Sequence, residues 1–331
     1  MKTRQFLYAL PLLLASCNSY FDPEGLYPEE KLVLYCMPNP NQDSIVIQLS
    51  KSVPVTATGT PPLGIPKANI DFMVNGEKQH VYWNENRTEN LPPQCYYVLN
   101  NLKEGDKIEI FAGSRDLTPV TSSTVIPTSF PLEDIELAIK PEDTPKLQFR
   151  VTFRDNASTD DYYGIRIVEK VITEHKYDDE NGVPCDTTVE ITSVLNFDVT
   201  DEPLLNDRVG LDATFELDYD YYQNLYIWTD EKIPGKEYTL RLTSSYTPDY
   251  ESDEASEYGY YKAIHLYKVY LYHLSPEFYR YLKSVNDISN NELGQNGLAP
   301  IRSHYSNILN GFGILGGCQF TESSWLPQPQ P

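Results

Sequence analysis

Apolar and polar residues alternate along much of this chain with a period of two, the repeat of a β-strand that buries one face. In Ser44–Leu49, Ile45, Ile47 and Leu49 fall on one side and Val46 and Gln48 on the other. Lys107–Ala112 sets Ile108, Ile110 and Ala112 against Glu109 and Phe111. The stretches Lys31–Met37, Ala68–Val74, Gln79–Trp83, Tyr96–Leu99 and Thr118–Ile126 read the same way, and Asn75-Gly76 is a strong hairpin signal between two of them. About seven short strands in roughly 100 residues, with a turn every eight to twelve, predict an immunoglobulin-like β-sandwich. No Cys…Trp…Cys spacing accompanies them, so kinship with antibody domains is not implied.

Pro127 and Pro131 bracket a boundary, beyond which the strands lengthen. Leu147, Phe149, Val151 and Phe153 share one face of a half-buried strand. Tyr162–Thr173, Thr187–Asp198, Leu225–Thr229, Tyr238–Ser244 and Lys262–Leu274 continue the series. Long antiparallel strands with one polar face predict a barrel or large curved sheet. A single helix is expected at 275–288. Ser275 is its N-cap, Pro276 its first residue, and Phe278, Tyr281, Leu282 and Val285 form one apolar stripe. The fold class is thus mostly β, with a sandwich over 28–129 and a larger antiparallel β domain with one packed helix over 130–331.

The N-terminus breaks the strand pattern. Lys2 and Arg4 precede an apolar run from Phe6 to Leu14, which has the layout of a secretory leader. The run is shorter than the roughly 20 residues of a membrane span. It ends in Leu14-Ala15-Ser16-Cys17, which resembles the bacterial lipobox. Residues 1–16 are therefore expected to be removed, and Cys17 to carry the lipid on its sulfur. Two or three acyl chains hold a protein stably on a membrane where one does not. Residues 17–27 read as a tether; at about 3.5 Å per residue, 18–27 reach some 35 Å. The expected location is the outer membrane, lipid-anchored and facing the cell surface, with a periplasmic orientation as the alternative.

Charge narrows the partners. The chain of 331 residues has a formal net charge of −22, the wrong sign for a phosphate backbone, so nucleic acid is not an expected partner. It would also be repelled by anionic head groups, which leaves the acyl chains as the membrane attachment. Beyond Cys17, the cysteines are Cys36, Cys95, Cys185 and Cys318. Four cysteines allow three pairings, and sequence does not choose among them.

Candidate chemistry is sparse. His265 and His273 lie on one face of one strand, but eight residues separate them by about 26 Å, too far to share a metal. His80, His175 and His304 have no ligand spacing. Acidic clusters at Asp178-Asp179-Glu180, Asp218-Tyr219-Asp220 and Asp249–Glu254 read as solvated loops; the last would be the choice if one bound calcium. Tyr219, Tyr221, Tyr222, Tyr226 and Trp228 form an aromatic run, read mainly as sheet core. No hydrolase or metalloprotease signature occurs. No cofactor, metal or catalytic residue is assigned, and an enzyme is not expected.

Three stretches carry a resemblance. They are Leu32–Cys36 with Asp43–Ser52; Phe153-Arg154-Asp155 followed by Asp161-Tyr162-Tyr163-Gly164-Ile165; and Leu274–Leu282 followed by Tyr305–Gly317. Together with the lipobox they resemble the domain-of-unknown-function 4249 lipoproteins of the Bacteroidota. The resemblance implies a TonB-dependent outer-membrane receptor as partner and an accessory or ligand-binding role in nutrient uptake. A structural adhesin or surface-layer component is the alternative. It supplies no catalytic residues. Asn310-Gly311 and Gly316-Gly317 frame Phe312–Leu315, and these glycines read as sheet closure by the last strand.

Overall fold

The computed structural model describes residues 29–53, 64–178, 183–205, 225–252, 260–289 and 304–329. Eight strands build the sandwich: β1 (Leu32–Cys36), β2 (Ser44–Lys51), β3 (Asn69–Val74), β4 (Glu77–Gln79), β5 (Tyr82–Asn84), β6 (Cys95–Leu99), β7 (Lys107–Ser114) and β8 (Leu117–Val125). One sheet runs β1-β2-β6-β5 and the other β4-β3-β7-β8. Read as A to G with one extra strand after C, these are the ABED and GFC sheets of an immunoglobulin sandwich. Alternation drives the pairing: Leu32, Leu34, Ile45, Ile47 and Leu49 from one sheet meet Phe72, Ile108 and Ile110 from the other in one buried cluster.

The second domain contains β9 (Leu132–Lys140), β10 (Lys146–Arg154), β11 (Tyr162–Asp178), β12 (Pro184–Val194), β13 (Tyr226–Thr229), β14 (Glu237–Ser245), β15 (Tyr250–Glu251) and β16 (Tyr260–Leu274). A three-stranded sheet, β14-β10-β9, packs on a larger curved sheet whose central pair is β11 and β16. Phe149 and Phe153 from one layer and Ile165, Ile167, Val269 and Leu271 from the other are fully buried between them. The seventeen-residue β11 is about 55 Å long at 3.3 Å per residue. Its first six residues lie largely in this core; its remainder projects with β12 and the start of β16 as a ribbon whose side chains are mostly half-exposed or exposed.

A helix follows, α1 (Pro276–Ser289), then β17 (Phe312–Leu315), β18 (Cys318–Glu322) and β19 (Leu326–Pro327). The cap is as read from sequence: Ser275 Oγ accepts the Phe278 N–H at 3.3 Å. The apolar stripe Phe278, Tyr281, Leu282 and Val285 is buried.

The C-terminal segment divides itself between the domains. β18 and β19 pair with β16. β17 leaves the second domain and pairs with β1 in parallel, Val33 against Phe312 through Cys36 against Leu315. Leu309 bridges to Thr121 of β8, and Ser122 Oγ donates to Asn307 O at 3.0 Å. The Asn307 side chain clamps Leu315, accepting its N–H at 3.0 Å and donating to its C=O at 2.8 Å. β17 therefore closes the side of the sandwich between its two sheets. The glycines permit this approach: Gly313 has φ +107°, and a Cβ there would lie 2.0 Å from Leu34 O.

Candidate functional site

Among the described residues, a buried carboxylate cluster lies where three turns meet beside the second core. Asp155 follows β10, Asp161 precedes β11, and Asp230 follows β13 and opens a 3-10 turn, Asp230–Lys232. All three are buried, and their carboxylates offer oxygens within 4.8 Å of one another. The turn between Asp155 and Asp161 is folded locally by Asn156, whose side chain accepts the Ser158 N–H at 3.2 Å. Asp230 is brought in by backbone pairing: its N–H donates to Asp161 O at 3.2 Å, and its carboxylate accepts the Asp161 N–H at 2.9 Å.

Each carboxylate has protein donors. Asp155 accepts the Tyr163 hydroxyl at 2.7 Å and the Gly235 N–H at 2.5 Å. Gly235 has φ +65°, and a Cβ there would stand 2.6 Å from that of Ala157. Asp161 accepts the Thr159 hydroxyl at 2.9 Å and lies 3.2 Å from Nε2 of His273. The other ring nitrogen of His273 is 2.7 Å from Thr128 O, in the segment linking the two domains.

Burial pushes Asp161 upward, but bonds from His273, Thr159 and Tyr163 outweigh it and hold the carboxyl below its usual range. Asp230 moves the other way: burial raises it, and the charges of Asp155, Asp161 and Asp160 add to the rise despite the Asp161 N–H. Tyr163 is driven up by burial, by its bond to Asp155 and by the carboxylate charges, so it stays a donor. The two neighbouring acids Asp161 and Asp230 are thus displaced in opposite directions by their surroundings. An all-oxygen set of this size suits a hard cation such as calcium, and Asp155, Asp161 and Asp230 are the residues that could hold one. In the structure the donors named above already serve them, and the network ties three turns together.

A second feature is a cleft of about 390 Å³ between the domains, lined by Tyr35, Gln48, Arg166, Tyr272, Phe278 and Phe320 among others. Among the described residues, Arg166 is the one charged residue on its walls. Its guanidinium lies 5.9 Å from the centre of the Tyr272 ring. Domain junctions with aromatic walls and few polar groups are common places for small ligands.

The residues singled out from sequence are dispersed. Cys17 lies outside the described residues, as do Asp179, Glu180, Asp218–Asp220, Asp253, Glu254, Tyr219, Tyr221 and Tyr222. Asp249 accepts the His265 N–H, and Glu251 accepts the Tyr260 hydroxyl. His265 pairs instead with Glu169 at 2.9 Å, so His265 and His273 serve separate networks. Tyr226 and Trp228 are core. Cys36, Cys95 and Cys318 are buried free thiols and Cys185 is half-exposed. Sequence reasoning passed over Asp155, Asp161 and Asp230, although two of them stand in one of the stretches that carry the family resemblance.

Fold and site together define a class of tandem β proteins: an immunoglobulin-type sandwich is closed by a strand returning from a second β domain, and a carboxylate network pins the turns of that second domain. The chain belongs to the DUF4249 family, a domain of unknown function whose sequence model matches residues 19–324. No curated protein matches it.

Proposed function

We propose that this chain is an outer-membrane lipoprotein, anchored through Cys17, that acts as an accessory or ligand-binding partner of a TonB-dependent transporter in nutrient uptake. The observation that carries the reading is the lipobox Leu14-Ala15-Ser16-Cys17 behind a leader, placed ahead of a β fold whose first strand begins at Leu32. The interdomain cleft, with its aromatic walls and the Arg166 guanidinium, supports binding as the role, and so does the breadth of open sheet on the second domain.

The test has two arms. Cys17→Ala should shift the protein from the membrane fraction to the soluble fraction, and unchanged fractionation sinks the anchor. Gentle detergent extraction followed by affinity capture of the wild-type chain should recover a transporter. Capture of the lipoprotein alone, under conditions that preserve a known transporter complex, sinks the partnership.

A further inference from the structure

The ribbon that projects from the second domain ends in an open edge. Along its length β12 pairs with β11, Pro184 against Asp178 through Val194 against Val168, and no described strand lies on its other side. Every residue from Asp186 to Ser193 is exposed.

The orientation of its backbone follows from the register. Just past the strand, the Leu195 N–H donates to Ile167 O at 2.9 Å. Alternate residues of an antiparallel strand bond to the same neighbour, and the register is unbroken. Cys185, Thr187, Val189, Ile191 and Ser193 therefore turn their backbone groups toward β11. The N–H and C=O groups of Asp186, Thr188, Glu190 and Thr192 point outward.

Sheets usually blunt such edges with charged side chains, lysine above all, with internal proline, a bulge or short length. β12 has eleven residues and no lysine, and its one proline is at the first position. Thr187, Thr188, Val189, Ile191 and Thr192 are β-branched, which favours the extended form. Val189 and Ile191 are 51% and 60% exposed on one face. On the other face stand Asp186 and Glu190, the latter 3.1 Å from Lys170. A row of outward donors and acceptors at strand spacing is matched in full by another polypeptide strand.

We propose that β12 is a docking edge for an extended segment of another protein, one with apolar residues at alternate positions and basic or uncharged residues between them. Charge selects this occupant over a second copy of the chain. Two copies at a formal −22 each repel, and both would bring Asp186 and Glu190 to the contact. The inference is independent of the lipid anchor and of the transporter reading.

The test uses the full chain and a blocked nine-residue peptide in which valine alternates with lysine and threonine, beside its counterpart with glutamate for lysine. The lysine peptide should bind at least tenfold more tightly by fluorescence anisotropy. It should slow amide exchange at Asp186, Thr188, Glu190 and Thr192 at least tenfold. Thr188→Pro removes an outward N–H and leaves the β11 ladder intact; it should weaken binding at least tenfold with the thermal midpoint kept. Glu190→Lys, which spares the backbone, should also weaken binding of the lysine peptide. Absence of binding by both peptides, or equal binding by the proline variant, overturns the proposal. So does protection of the same amides in a peptide-free dimer seen by sedimentation, which would give the edge to a second copy.

Discussion

Asp161 ties the carboxylate network to the pH dependence of stability. Its folded value lies below the value of about 3.9 for an unfolded aspartate, held there against burial by His273, Thr159 and Tyr163. Its stabilisation is therefore complete above the unfolded value and is lost as pH falls through the depressed folded one. Asp230, displaced upward, has the opposite sign and costs stability as pH rises through its folded value. Asp161→Asn should lower stability at neutral pH by about 3 kcal/mol, the scale of breaking a buried pair. It should also flatten the acid limb of a plot of urea stability against pH; an unaltered limb would contradict the assignment. Burial likewise pushes up the thiols of Cys36, Cys95 and Cys318, the last to about 12, while Cys185 is half-exposed. Of these four thiols, Cys185 should react with Ellman's reagent in the native protein and the others after unfolding. Burial of Cys36 follows from its place in an apolar strand, but the carboxylate network was not legible in the sequence. Asp155 and Asp161 look like ordinary turn residues, and Asp230 joins them through the pairing of β11 with β13, which leaves no local pattern. The two histidines lie eight residues apart on one strand, as their spacing indicated, and contact different acids.

At the scale of elements, the chain writes its strands plainly. Ile45, Ile47 and Leu49 are buried as their alternation demands, and the helix occupies Pro276–Ser289 against an expected 275–288. What the pattern could not convey was partnership. Phe312–Leu315 was expected to close a sheet, but four residues carry no sign of which sheet, nor that the pairing with β1 is parallel. The glycines decide whether it can happen. Gly313→Ala puts a Cβ 2.0 Å from Leu34 O at a positive φ, a strain that should cost on the order of 3 kcal/mol. Urea denaturation should show it as a lower midpoint. A variant at Gly76, where a Cβ would meet nothing within 4 Å, should lose less.

For the whole molecule, the shared C-terminal segment makes the two domains one mechanical unit. Ile308 and Leu315 belong to the sandwich core, while Ile314 and Cys318 pack with α1. A chain ending at residue 303 should therefore destabilise the sandwich as well as the second domain. In the intact protein, near-ultraviolet circular dichroism and tryptophan fluorescence should report one coincident unfolding transition; two resolved transitions would show that the strand exchange does not couple the domains. The order of synthesis gives that exchange a further consequence. β1 is among the first strands to leave the ribosome, and the partner for its outer edge is among the last. Until Phe312–Leu315 arrives, the nascent sandwich presents a bare hydrogen-bonding edge and an incompletely covered core. Pairings so distant along the chain form slowly and leave partly folded forms open to misassembly. The final turn of synthesis is thus a checkpoint: a chain cut short near its end is left with an unfinished beginning.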